Sequence, residues 1–142
     1  MDDSSSASLQ NLVDFYHQLT PDRLQEIGQI YASDAYFKDP FNEVRGLENV
    51  KVIFLRMYQH LREPKFRIID TVRQGEQACL TWEMTFIVGR KESFCIRGMT
   101  HVRFDHSGRV NYHRDYWDAA EELYEKLPLL KWLMRWLKKK VG

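Results

Sequence analysis

The sequence predicts an α+β fold, with helices packed on one face of a curved antiparallel sheet, and a change of hydrophobic period predicts it. Up to Leu61 apolar residues recur mostly at helical spacing, with one short strand between helices; from Lys65 to Trp117 they alternate with polar ones. Helices first and neighbouring strands afterwards is the order of an α+β layout. The 142 residues contain no low-complexity linker, so a single domain is expected. Hydrophobic residues at 44% and charged ones at 29% suit a globular chain, and the 13% aromatic share points to large side chains around a core or cavity.

Residues 1–5 are expected to be disordered. Met1 to Ser8 is acidic and serine-rich, the reverse of a secretory signal, and no apolar run approaches the roughly 20 residues of a membrane span, so a cytoplasmic protein is expected. Leu9, Leu12, Val13, Tyr16 and Leu19 mark one face of a helix over Ser6 to Leu19. Thr20 followed by Pro21 caps a second, short helix running through Tyr31, with Leu24, Ile27 and Tyr31 inward. A strand beginning near Ala35 turns Phe37 inward and stops at Asp39, because Pro40 lacks an N–H and holds its predecessor extended. Gly46 opens a third helix with Leu47, Val50, Ile53, Phe54, Met57 and Leu61 as its core stripe, and Pro64 ends it.

Phe66 and Ile68 then begin the alternating half. A turn at Gly75 leads to a long strand with Leu80, Trp82, Met84, Phe86 and Val88 on one face and Cys79, Thr81, Glu83 and Thr85 on the other. Gly89, Arg90 and Lys91 form a hairpin, and the next strand returns Phe94, Ile96, Thr100, Val102 and Phe104 to the inner side, with Arg97, His101 and Arg103 opposite. Asp105 to Gly108 turns the chain into a last strand, Val110 to Trp117. This register puts Cys95 opposite Thr85 and roughly 20 Å from Cys79, so no disulfide is expected; two cysteines without a clustered histidine also predict no metal.

Asp39 has two readings. Its carboxylate points the way Phe37 does, toward apolar surroundings that raise a carboxylate pKa and suit a general base; alternatively it is an Asx-turn residue bonding the backbone after the strand.

Two helices, a strand ending in K-D-P-F-N-E-V-R-G, a third helix and long strands ending in H-R-D-Y-W-D together resemble the nuclear transport factor 2-like superfamily, in its SnoaL-like and ketosteroid-isomerase-like branch. The resemblance spans roughly residues 6 to 120. It implies a cone-shaped fold enclosing a deep apolar pocket, and a homodimer through the outer sheet face. It also implies that Asp39 matches the proton-shuttling aspartate of ketosteroid isomerases, which work beside oxyanion donors; the donor positions here hold Phe15, next to Tyr16, and Thr100. Asp115 matches a water-activating aspartate of limonene-epoxide hydrolase, whose Arg-x-Asp partner positions here read Trp82, Glu83 and Met84.

The candidate site therefore comprises Asp39, Asp115 and His113 as acid–base groups, with Tyr16, Phe37, Trp82, Met84, Phe86, Phe94, Ile96 and Thr100 against the ligand. The blander readings are an Asp115–Arg114 ion pair or a bond from Asp115 to the last helix, a partly exposed His113, a Trp82 and Met84 that are simply core, and a His101 facing outward or toward a dimer partner. The expected function is binding of a small apolar molecule, lipid-, polyketide- or steroid-like, with isomerase or hydrolase chemistry at Asp39 and Asp115 and no cofactor. The competing expectation is a noncatalytic ligand-binding or docking module.

Asp118 with Glu121 starts a final helix, and residues 121–142 read as an amphipathic basic helix interrupted at Pro128. Five of the last fourteen residues are basic, which leaves four net negative charges on the rest of a chain whose total is +1. The apolar arc of this tail covers about 200°, twice what a helix needs to cover its own domain. Trp132, Arg135, Trp136 and Lys139 are the residues expected at the cavity mouth or a dimer contact, at an anionic inner membrane surface, or at a partner protein. Nucleic acid is not expected, since the basic residues share their helix with bulky aliphatic ones.

Overall fold

Helix α1 spans Asp3–His17, so it takes in residues 3–5, for which the sequence predicts disorder. The structure, a computed structural model, describes residues 3–124. Leu12, Phe15 and Tyr16 on α1 are buried. Thr20 does act as a cap, its Oγ1 accepting from the Arg23 N–H at 3.2 Å. The element it opens is a 3-10 helix, Asp22–Gln29, whose buried Leu24 and Ile27 share a face at its three-residue period. It stops short of Tyr31, which belongs instead to strand β1 (Tyr31–Lys38).

A short strand that the sequence does not predict, β2 (Glu43–Arg45), folds back on β1 with Lys38 opposite Glu43. Helix α2 (Leu47–His60) then buries Val50, Phe54 and Met57. Pro64 does not end that helix. It lies inside β3 (Arg62–Gln74), at a register irregularity of a strand on the sheet edge, where its missing N–H costs no ladder bond.

The remaining strands are β4 (Gln77–Val88), β5 (Glu92–Phe104) and β6 (Val110–Tyr116), and α3 (Ala119–Tyr124) begins after Asp118, whose carboxylate accepts from the Glu121 N–H at 3.0 Å. The β4–β5 register matches expectation, with Thr85 opposite Cys95. The six strands form one curled, unclosed sheet in the order β2-β1-β6-β5-β4-β3. It is not wholly antiparallel, because β1 and β6 run parallel with Phe37 beside His113 and Lys38 beside Arg114. That single parallel pair positions the site: the chain leaves both strands on the same side, so the next inward residues, Asp39 and Asp115, come together.

No helix among the described residues is long and apolar enough to cross a membrane. The expected amphipathic helix over residues 121–142 lies outside the described residues from residue 125 onward, including Trp132, Arg135, Trp136 and Lys139.

Candidate functional site

Asp39 is the first residue after β1, where it closes a turn. Its Oδ1 accepts from the backbone N–H groups of Phe41 (2.8 Å) and Asn42 (2.6 Å), closing an Asx turn, and Asn42 Nδ2 reaches both carboxylate oxygens. The same carboxylate also borders the interior. Burial holds its pKa above the ordinary aspartate value, the bonds from Asn42 and Phe41 pull against that rise, and the nearby charge of Asp115 adds to it.

Asp115 ends a chain of hydrogen bonds contributed by α1 and four strands. Its Oδ1 accepts from Thr100 Oγ1 at 2.6 Å and from His113 Nε2 at 2.7 Å. Thr100 in turn accepts from Trp82 Nε1 at 2.7 Å. On the other side, His113 Nδ1 meets the Tyr31 hydroxyl at 2.9 Å, and Tyr31 meets Tyr16 at 2.5 Å. With ionised Asp115 as final acceptor, His113 carries its proton on Nε2, so Tyr31 donates to Nδ1 and Tyr16 donates to Tyr31. Burial, together with Tyr31 and Asp115, pushes the Tyr16 phenol well above its usual range, and burial does the same to Tyr31, so both stay protonated as this order requires.

Gly98 makes one of these bonds possible. It stands opposite Trp82 in the β4–β5 ladder, and a Cβ there would meet the indole at 2.5 Å, so the missing side chain lets Trp82 lie across β5 toward Thr100.

The carboxylates of Asp39 and Asp115 line one cavity of about 120 Å³. At roughly 10–15 Å³ per water position, that admits a small organic molecule. Its walls are mainly apolar and carry eight aromatic rings, among them Tyr16, Phe37, Trp82 and Phe86. Asp39, Asp115 and Trp117 also border an open depression with Lys38 and Arg114 on its rim, so these three residues form the mouth.

The family model for the SnoaL-like domain matches residues 12–113. The chain belongs to the SnoaL-like domain family. Comparison with curated proteins finds no match. Among solved structures this SnoaL-like chain is similar to a nuclear transport factor 2-like protein of unknown function from Burkholderia pseudomallei, at 16% identity and TM-score 0.73 over 87% of this chain and 97% of that one. It is similar to a protein of ketosteroid-isomerase-like fold from Catenulispora acidiphila, in complex with trimethylamine, at 17% identity and TM-score 0.68 over 82% and 89%. A limonene-epoxide-hydrolase-like epoxide hydrolase of Mycobacterium tuberculosis is similar at 15% identity and TM-score 0.69 over 89% and 94%.

Of the residues singled out in the sequence, Asp39, Asp115, Tyr16, Phe37, Trp82, Met84, Phe86, Ile96 and Thr100 of the SnoaL-like chain border this cavity. Two do not. Phe94 stacks on Phe86 at 5.9 Å and so backs the wall, and His113, only 2% exposed, stands behind Asp115 and reaches the cavity through it. The partly exposed His113 is thereby corrected, because parallel pairing with β1 lays its ring on Phe37 at 4.3 Å. Arg114 lies across the Tyr116 ring rather than pairing with Asp115. His101 bonds Gln77 at 2.9 Å.

Among the site residues not predicted from the sequence are Tyr31, hidden by its assignment to a helix, and Phe41, Asn42, Phe66 and Trp117. Asn42 had a signal, since an amide three residues after the aspartate of Asp-Pro suits a carboxylate turn. No group of three or more His, Cys, Asp or Glu side chains suited to a metal occurs among the described residues.

Proposed function

We propose that the protein binds a small, largely apolar molecule in this cavity and moves a proton on it, with Asp39 as the base and Asp115 as an acceptor that orients the ligand or a water. The observation carrying this reading is the pair of carboxylates bordering one aromatic-walled cavity, Asp39 with a raised pKa that suits proton exchange closer to neutral pH. His113 and Thr100 act as positioning residues by holding Asp115. The ketosteroid-isomerase-like and epoxide-hydrolase-like neighbours support a reaction of the isomerase or hydrolase kind, and the cavity's size favours a ligand of one or two rings over a steroid or a full polyketide.

Solvent-deuterium exchange at the α′-carbon (C6) of 2-cyclohexenone, followed by proton NMR, tests the reading. The protein should accelerate exchange, and Asp39→Asn should remove about a hundredfold or more of that acceleration while cyclohexenone still binds. Equal exchange by the two forms would reject Asp39 as the base.

A homodimer through the outer sheet face is the second part of the proposal. Met99 and Tyr116 are cross-strand partners there, 42% and 47% exposed, beside stacked Tyr36 and Tyr112.

A further inference from the structure

The polar atoms bordering the cavity are unevenly assigned. Thr100 spends its hydroxyl proton on Asp115 and accepts from Trp82, which spends its indole N–H; Asn42 turns its amide onto Asp39; and Tyr16, in the order fixed by an ionised Asp115, gives its proton to Tyr31. Trp117, at the mouth, keeps an indole N–H without a hydrogen bond among the described residues. What the deeper cavity offers a ligand is acceptors: the Tyr16 oxygen, the carboxylate of Asp39, and Asp115 Oδ2, which accepts no hydrogen bond from any described residue.

Charge is as lopsided as hydrogen bonding. No lysine, arginine or histidine among the described residues lines the cavity, and neither carboxylate has a lysine or arginine at ion-pairing distance. Lys38 and Arg114 on the outer rim act instead on Glu43 across the sheet, after the Tyr36 hydroxyl that bonds it. Two carboxylates thus share an apolar enclosure with no resident cation, and aromatic faces surround them.

We propose that the ligand is a small organic cation, a protonated amine carrying an apolar ring or alkyl group. Its N–H groups bond Asp39 and Asp115, and its carbon atoms lie on the rings of Phe37, Phe41, Trp82 and Trp117. The ammonium brings both the charge and the donors that the cavity wall lacks. This rests on the cavity being a small-molecule site, and it names the class of molecule. The opposite polarity, with His113 as imidazolium, would reverse both tyrosine hydroxyls and turn Tyr16 into a donor facing the cavity, which would select a carbonyl ligand.

Four probes of matched size separate these cases at neutral pH by tryptophan fluorescence and calorimetric titration of the full chain: benzylamine, benzyl alcohol, toluene and benzaldehyde. Benzylamine should bind about tenfold or more tighter than benzyl alcohol and toluene. Asp115→Asn and Asp39→Asn should each remove most of that preference, circular dichroism confirming that each variant is folded. Neutral probes binding as well as the amine would overturn the cation proposal and leave the small-molecule reading standing. Tightest binding by benzaldehyde would overturn it in favour of the reversed hydroxyl order. No binding by any of the four would overturn both.

Discussion

Trp82 lies against Gly98 so closely that a methyl group at residue 98 would stand 2.5 Å from the indole. The contact fixes the indole whose N–H bonds Thr100, and through Thr100 it helps to hold Asp115. Gly98→Ala should therefore cost about 1–3 kcal/mol in urea unfolding, the range of core overpacking, and shift tryptophan emission to the red. Unchanged stability and emission would mean that the indole has another place to go.

Tyr31→Phe tests the buried relay. It leaves Tyr16 without its acceptor and His113 Nδ1 without its donor, and a loss of about 1–3 kcal/mol per stranded group is expected. Tyr16→Phe removes only the end of the chain and should cost less. A larger loss for Tyr16→Phe than for Tyr31→Phe would contradict the order Tyr16 to Tyr31 to His113 to Asp115.

The raised pKa of Asp39 makes a signed prediction about pH. The folded protein holds the Asp39 proton more tightly than the unfolded chain does, so the corresponding stability is present below the ordinary aspartate value and lost as pH rises through the folded value. Asp39→Asn removes that dependence. The stability of the variant relative to the parent should be higher at about pH 7 than at about pH 3.5, measured by urea unfolding at each. A difference that runs the other way would show that the turn bonds outweigh burial.

Tyr116→Glu on the outer sheet face should convert a dimer to a monomer in native mass spectrometry without loss of helix or sheet signal. A parent that is already monomeric at micromolar concentration would remove this part of the account.

Residues 129–142, read from sequence alone, predict flotation with anionic liposomes that a chain ending at residue 128 does not share. Equal flotation of the two forms would remove the membrane reading of Trp132, Arg135, Trp136 and Lys139.

How much of this was legible in the sequence depends on the range of the interaction. The β4–β5 hairpin is readable because alternation and a Gly-Arg-Lys turn are local signals, and the inward rows from Leu80 to Val88 and Phe94 to Phe104 follow from them. Asp39 as a strand-end residue is readable for the same reason, through Pro40. The parallel pairing of β1 with β6 is not local, since residues 39–109 separate the two strands, and no spacing within either strand announces it. His113 therefore reads as partly exposed until β1 covers it, and Tyr31 reads as the end of a helix until its hydroxyl is seen between Tyr16 and His113. Gly98 gives no sequence signal beyond interrupting an inward row, and its reason lies on the neighbouring strand.

Carbonyl-carbon NMR of labelled aspartates is the most direct test of the central claim that Asp39 and Asp115 face each other across one enclosed cavity. Asp39 should titrate above the ordinary aspartate range in the parent protein, and Asp115→Asn should move its midpoint downward, because a neighbouring negative charge has gone. An Asp39 that titrates in the ordinary range and does not respond to Asp115→Asn would contradict the account.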